Sequence, residues 1–198
     1  MLTSTYTLVA LSIEQNTVRA ALQALADEVR ALPADYATLA SARATQLCAS
    51  LRRVVDNCHW RKLDKFLLPV LRRSPAAAGL LDDLEQLSLD AAGAMTAAET
   101  CVGTGERPVD RARFCAAVVA CIATLRSRLE REEDELFPLA RGTVGGDVWF
   151  AIANQMLAHD AYAQEWRPVP KGSVAPRFER DALQAEFGRR HSSFSIAH

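Results

Sequence analysis

The side chains best suited to chemistry lie in two similar segments, HWRKLDKFLLPVLRR beginning at His59 and RLEREEDELFPLARG beginning at Arg128. The first segment contributes the imidazole of His59, and the second contributes the guanidinium of Arg128 and the carboxylate of Glu132. Such groups can form ion pairs or complete a buried hydrogen-bond network. Which of these they do depends on the elements that position them.

The two segments are related as copies of one unit. Superposing Pro69 on Pro138 gives a constant shift of about 69 residues, and the same shift places His59 on Arg128 and Leu63 on Glu132. In the preceding helices it places Gln15 on Leu84. A pair of helices has been used twice.

Apolar residues recur at steps of three and four along the chain, and no stretch alternates with period two for long enough to make a sheet. The fold class is therefore predicted to be all-α. Proline and glycine breakers divide the chain into five helical segments and a tail, at about 6–31, 35–72, 77–101, 109–139 and 147–166, with the tail at 167–198. The four long helices are expected to form an up-down-up-down bundle of two repeated hairpins, with the fifth helix packed across its end or side through Trp149, Ile152 and Met156. The domain prediction is a bundle at 1–166 and a tail, with one short helix at 178–187.

The apolar stripes of these helices have polar interruptions. In the first helix Gln15 lies between Leu11 and Val18 in a seam that also contains Leu8, Leu22, Leu25 and Val29. In the second, His59 falls within a stripe formed by Leu51, Val55, Leu63, Phe66 and Val70. In the fourth, Arg128 and Glu132 lie four residues apart on the core-facing side and can pair directly. We expect a buried polar network of these residues, since a buried ion pair requires further hydrogen bonds.

These motifs resemble those of the hemerythrin-like (HHE) cation-binding family, a four-helix bundle of two repeated helical hairpins. In that family the first helix of each hairpin carries Glu-His, and the second carries His-x-x-x-Glu followed six residues later by the proline of Leu-Phe-Pro. The resemblance covers about residues 6–160, including LARGTVGGDVWFAIANQM after the second proline. Counterparts here are Glu14-Gln15, Asp83-Leu84, His59-x-x-x-Leu63 before Pro69, and Arg128-x-x-x-Glu132 before Pro138.

The resemblance implies six metal-ligand positions, and most have lost their donors. A di-iron centre needs several imidazoles and bridging carboxylates, but only His59 and Glu132 can bind iron well. The six are Gln15, His59, Leu63, Leu84, Arg128 and Glu132. We predict a vestigial site without a cofactor, with iron as the alternative.

Other residues offer alternative ligands for a rearranged site. Asp64, Glu133 and His159 carry donors, whereas Cys58 is poorly placed to share a metal with His59 because adjacent helix residues do not share a face. A cluster of basic residues on the second helix is expected to form its exposed side: Arg52, Arg53, Arg61, Lys62 and Lys65.

Composition excludes several classes of function. The formal net charge is -1, with 23 Lys+Arg against 24 Asp+Glu, which gives no support for a nucleic-acid or anionic-membrane partner. No apolar run is long enough to span a membrane and the N-terminus lacks a leader pattern, so we expect a cytoplasmic protein. The five cysteines have no CxxC spacing and are expected to be buried free thiols. No phosphate loop or nucleophile motif is present, which favours a non-enzymatic role.

The sequence thus predicts a bundle that has lost its di-iron site and acts as a binding or regulatory module, with another protein or a second copy as partner. The alternative is a metalloprotein for O2, nitric oxide or iron-related sensing or repair, as the resemblance implies, with a rearranged or mononuclear site.

Overall fold

A computed structural model describes residues 2–33, 37–59, 61–103 and 108–165 of the chain. The elements run in the order α1 (Leu2–Arg30), β1 (Thr38–Leu39), α2 (Ser41–His59), π1 (Leu63–Leu67, a π-helical segment), α3 (Leu68–Leu71), a 3-10 turn (Pro75–Ala77), α4 (Ala78–Val102), β2 (Val109–Asp110), α5 (Arg111–Arg131), π2 (Glu132–Leu136, also π-helical), α6 (Phe137–Thr143) and α7 (Gly146–Glu165). The all-α prediction is confirmed. The predicted tail at 167–198 and its short helix lie outside the described residues.

The four long helical stretches form a bundle. α1 packs against α2 and α5, and α4 packs against the same two helices. The bundle has a seam on every helix because apolar residues three and four apart lie on one face. On α1 the buried residues include the whole predicted seam: Leu8, Leu11, Gln15, Val18, Leu22, Leu25 and Val29.

A two-residue antiparallel pairing joins the loops at one end of the bundle. Thr38 pairs with Asp110, and Leu39 pairs with Val109, whose side chains are both buried. Asp110 also begins α5, where its carboxylate accepts a hydrogen bond from the backbone N–H of Arg113 at 3.0 Å. This pairing was not predicted from the sequence, because two residues are too few to show an alternating pattern.

Two π-helical segments interrupt helices that the sequence predicts to be continuous. In π1 the N–H of Leu68 bonds to the carbonyl of Leu63, and in π2 the N–H of Phe137 bonds to that of Glu132. Each segment comes just before the proline of its repeat, which has no N–H to donate and whose ring crowds the carbonyl four residues earlier. The two segments begin at equivalent positions of the repeat.

π1 changes which residues face the core. The sequence placed Phe66 and Val70 on the buried stripe, but both are only partly buried. The extra residue in the wide turn brings Leu67, Leu68 and Leu71 inward instead. Continuous 3.6-residue periodicity therefore gave the wrong stripe after residue 63.

The interior consists of two apolar clusters. The ribbon-side core lies next to the two-residue pairing and contains residues of α1, α2, α4 and α5 such as Leu22, Leu51, Met95, Phe114 and Leu129. The α7-side core lies at the other end: Leu8, Leu11, Leu63, Leu67, Leu68, Leu71, Ala77, Leu84, Leu136, Phe137, Ala140, Trp149, Ile152 and Met156. Trp149, Ile152 and Met156 of α7 are buried in it, as the sequence predicted for the fifth helix. That helix begins at Gly146, one residue earlier than predicted, with Asp147 in its first turn.

None of the helices described combines the length and apolar character that crossing a bilayer requires. All five cysteines are free, and Cys48, Cys58 and Cys121 are buried, but Cys101 and Cys115 are only partly buried. The prediction of five buried thiols is therefore wrong for those two. Burial raises the pKa of the Cys58 thiol and raises that of Cys121 to about 11, which leaves both in the thiol form at neutral pH.

Candidate functional site

A layer of polar and charged side chains crosses the bundle between the two apolar cores. On α1, Gln15 lies between Leu11 of the α7-side core and Val18 of the ribbon-side core. Residues from the other three helical stretches occupy the same level. We call this set the ion layer: Gln15, Arg61, Asp64, Ser88, Arg128 and Glu132.

Glu132 lies at the centre of the ion layer and is 0% exposed. Arg61 binds it with two hydrogen bonds, from Nη1 to Oε2 at 2.7 Å and from Nη2 to Oε1 at 2.6 Å. Gln15 donates from Nε2 to Oε2 at 2.8 Å. Such a two-pronged guanidinium–carboxylate contact is the strongest pairing that protein side chains form.

Arg128 forms the second pair of the layer. Its Nη2 donates to Asp64 Oδ1 at 2.6 Å and its Nη1 to Ser88 Oγ at 2.8 Å. Its Nε lies 3.0 Å from Glu132 Oε1, which is an ionic contact without hydrogen-bond alignment. The Ser88 hydroxyl in turn donates a hydrogen bond to the backbone carbonyl of Leu84 at 2.9 Å. Arg128 therefore connects both carboxylates of the layer.

The ion layer is electrically balanced, with two guanidiniums and two carboxylates. Burial by itself lowers the pKa of Arg61, but the hydrogen bonds and negative charge of Glu132 outweigh this and hold that pKa above its ordinary value. Arg61 also donates from Nε to the carbonyl of Cys58 at 3.0 Å. Each buried charge of the layer has an opposite partner, and this pairing offsets part of the cost of removing the charges from water.

Each guanidinium borders a cavity. One cavity, of about 260 Å³, is lined by Asp64, Ser88 and Arg128 together with leucines of α4. The other, of about 280 Å³, is lined by Glu14, Asn57 and Arg61 among others. Two buried oxygens, Asp64 Oδ2 and Gln15 Oε1, have no hydrogen-bond partner among the described residues.

The structure brings together three of the six predicted ligand positions, namely Gln15, Arg128 and Glu132. Leu63 and Leu84 are buried in the α7-side core, where they offer no donor atom. The side chain of His59 lies outside the described residues, so its predicted share in the network stays a prediction.

Arg61 is the main correction to the sequence analysis. It was predicted on the exposed side of the second helix, but its side chain is 2% exposed and it is the principal partner of Glu132. Arg61 lies between the end of α2 at His59 and the start of π1 at Leu63. It is three residues beyond the buried Cys58, to whose carbonyl its Nε donates, so its side chain enters the bundle on the same side.

The alternative ligands are spread over different surroundings. Asp64 belongs to the ion layer, whereas Glu133 is 46% exposed and pairs with Arg19 at 2.7 Å. His159 packs edge-on against Phe66, with ring centroids 5.7 Å apart. Among the side chains that the structure describes, no three of the His, Cys, Asp and Glu type converge as metal ligands would.

The comparison with protein families gives one match. The family model described as the hemerythrin HHE cation binding domain matches residues 10–140. The chain belongs to this family. No curated protein and no solved structure matches it.

Hemerythrin-family domains usually bind iron, so the ion layer must be tested against that metal. Glu132 is the one strong donor that the layer retains at an inherited position, and Arg61 binds both of its oxygens. Arg128 adds a second fixed positive charge beside the same carboxylate. A multivalent cation would have to displace these guanidiniums within a dry interior, which carries a large desolvation cost. The described side chains do not fit an iron centre at this position.

Proposed function

We propose that this hemerythrin-family chain acts as a non-catalytic binding or regulatory module whose ion layer takes the place of a metal centre. The observation that carries the proposal is the binding of Glu132 by Arg61 and Arg128 between the two apolar cores. The partner is another protein or a second copy of the chain, rather than a nucleic acid or a membrane. The formal net charge of -1 supports that choice, because it provides no bulk attraction to polyanions.

The ion layer supports this role because it links the two hairpins of the bundle through side chains alone. Both hydrogen-bonding oxygens of Glu132 are occupied by groups from α1 and from the Arg61 region, so the layer joins the first hairpin to the second. A metal centre performs the same joining in a bundle whose helices supply ligands from both hairpins. The scaffold can therefore persist without a metal, and its outer surface remains available for binding.

The alternative is a metalloprotein with a rearranged or mononuclear site, for O2, nitric oxide or iron-related sensing or repair. Asp64 Oδ2 and Gln15 Oε1 favour it, since both are buried oxygens without hydrogen-bond partners in the described part of the chain. Against it, Asp64 Oδ2 lies 3.4 Å from Arg61 Nη2, so a cation there would meet a guanidinium directly.

Metal analysis separates the two functions. Protein purified without an affinity tag, and then incubated anaerobically with excess ferrous iron and desalted, should retain well under one iron per chain. The matched controls are Glu132→Gln and Asp64→Asn, each of which keeps the shape of the side chain but removes its charge. Iron that is retained equally by all three proteins is adventitious and leaves the proposal standing. One or two irons per chain that depend on Glu132 or Asp64, with an oxo-bridged absorption band in the two-iron case, would establish the alternative.

A further inference from the structure

The N-terminal half of α1 has an apolar stripe on its outer face as well as on its inner one. Leu2, Tyr6, Val9 and Ile13 are 91%, 51%, 53% and 62% exposed. Their spacing of four, three and four residues puts them in one line along the helix. The buried seam, which includes Leu8 and Leu11, lies on the opposite side. We call these four residues the outer stripe.

The N-terminal half of α1 itself carries almost no charge. Between Leu2 and Val18 the only ionisable acid or base other than Tyr6 is Glu14, which is partly buried and accepts a hydrogen bond from the N–H of Lys62 at 2.9 Å. Helix faces that remain in water normally carry charges, whereas the centres of protein interfaces are depleted of them and enriched in aromatic residues. The outer stripe therefore has the composition of a contact surface.

The other exposed apolar residues do not form a comparable line. Leu89 on α4 and Val119 on α5 are single exposed residues on their helices, at 61% and 52%. On α7, Phe150 and Leu157 are exposed on one face but lie seven residues apart, with no exposed large apolar residue between them on that face. Scattered residues of this kind are normal on a protein surface, and only a contiguous set indicates an interface.

Charges beside the outer stripe indicate which partner it fits. A groove along one edge of α1 is lined by Thr5, Val9, Ser12, Glu133 and Arg141, among others. α1 runs antiparallel to the chain from Leu129 to Arg141, because Arg19 contacts Leu129 and Glu133 while Gln15 contacts Glu132. Glu133 consequently lies toward the C-terminal end of the stripe and Arg141 toward its N-terminal end, with Val9 between them.

We infer that the outer stripe is the contact between two copies of this chain, whose α1 helices pack antiparallel about a two-fold axis at Val9. A two-fold contact presents the same patch from both copies, so Tyr6 of one copy packs on Ile13 of the other and Val9 on Val9. The same axis brings Glu133 of each copy toward Arg141 of the other, so opposite charges meet at both ends. The charged C-terminal half of α1, with Asp27 and Arg30, stays outside the contact.

This inference rests on the proposed function and specifies a second copy of the chain as the partner. Different measurements test the inference and the proposed function. The metal content of the protein tests the ion layer, whereas molecular mass in solution tests the outer stripe. A metal-free monomer would overturn only the inference about the stripe.

Sedimentation velocity of the full chain from 1 to 100 μM is the first measurement, with a dimer expected at the upper concentrations. Val9→Glu should weaken dimerisation at least tenfold, because it places two like charges on the axis. The matched control is Val119→Glu, since Val119 has the same side chain and almost the same exposure on another helix. It should leave the dimer unchanged, and circular dichroism should show both variants folded.

Charge reversal tests the antiparallel geometry. Glu133→Arg should weaken the dimer several-fold at low salt, because it would face Arg141 of the other copy. Adding Arg141→Glu to that variant should restore most of the affinity. A monomeric mass at 100 μM, equal effects of the two valine substitutions, or no restoration by the double charge reversal would overturn the inference.

Discussion

The two halves of the repeat contribute equally to the ion layer but in different ways. The first half supplies Arg61 and Asp64, and the second supplies Arg128 and Glu132. The pairs are crossed, because Arg61 binds Glu132 and Arg128 binds Asp64. These two crossed pairs, together with the hydrogen bond from Gln15 to Glu132, link the two hairpins.

The halves differ in how the chain reaches the layer. In the second half α5 ends at Arg131 and π2 follows at once, so Arg128 and Glu132 lie on a continuous helical path. In the first half α2 ends at His59 and π1 starts at Leu63. The pair of Arg61 and Glu132 is fully buried, whereas Asp64, the partner of Arg128, is 20% exposed and borders a cavity. A buried charge depends more strongly on its partner, so the Arg61–Glu132 pair should contribute more to the free energy of unfolding than the Arg128–Asp64 pair.

The largest effect should come from removing the shared carboxylate. Glu132→Ala leaves Arg61 without its bidentate partner and Arg128 with only one carboxylate, which should cost about 3 to 5 kcal/mol in the free energy of unfolding. The matched control is Glu133→Ala, one residue along and 46% exposed, which should cost about 0 to 1 kcal/mol. Urea unfolding monitored by circular dichroism measures both. Similar costs for the two variants would mean that Glu132 is not buried among charges.

The partly exposed pair should matter less. Asp64→Asn keeps an oxygen that can accept from Arg128 but removes the negative charge, and Arg128 retains Ser88 and the ionic contact with Glu132. A loss of about 1 to 2 kcal/mol is expected, below that of Glu132→Ala. Asp83→Asn, at an exposed ion pair with Arg131, serves as control and should lie within about 1 kcal/mol of the wild type. If Asp64→Asn costs as much as Glu132→Ala, the two halves are energetically equivalent.

The smallest effect concerns the residues just before π1 in the first half, where the Glu14 carboxylate accepts a hydrogen bond from the backbone N–H of Lys62. Burial raises the pKa of Glu14, and the hydrogen bond to Lys62 only partly opposes this. Because the folded state holds the proton more tightly than the unfolded state, the contribution of Glu14 is favourable in acid and is lost as pH rises through its folded pKa.

Glu14→Gln keeps the acceptor and cannot ionise. The variant should therefore gain stability relative to the wild type between pH 4 and pH 7, by less than about 1 kcal/mol because solvent screens this half-exposed group. Urea midpoints of both proteins at the two pH values provide the measurement. If the wild type instead gained stability relative to the variant over that interval, folding would lower the pKa of Glu14 rather than raise it.

The sequence predicted Gln15 and the second half of the ion layer better than it predicted Arg61 of the first half. Gln15, Arg128 and Glu132 lie on regular seams at three- and four-residue steps, and all three are buried where those steps place them. Helical periodicity is reliable as long as the helix continues.

The first half was predicted less well because two stripes overlap on α2. One apolar stripe runs from Leu51 through Val55, and this is the stripe predicted from the sequence. A second runs from Leu51 through Val54 and Cys58, and the residues of both stripes are buried. The second stripe leads by steps of three and four to Arg61. The wide turn of π1 then determines which residues after Leu63 are buried, and the prolines that end both repeats were the available signal for the two wide turns.

The crossed pairing is tested most directly by two double-mutant cycles that share Glu132. Arg61→Met with Glu132→Leu removes one complete pair and leaves Arg128 with Asp64. This double variant should be as stable as the wild type or more stable by about 1 to 4 kcal/mol, although each single change is strongly destabilising. Arg128→Met with Glu132→Leu instead leaves Arg61 with only its 3.4 Å contact to Asp64, and should remain destabilised. The account predicts a coupling energy for Arg61 and Glu132 of at least about 2 kcal/mol that exceeds the coupling for Arg128 and Glu132. A coupling near zero for Arg61 and Glu132, or a larger one for Arg128 and Glu132, would contradict it.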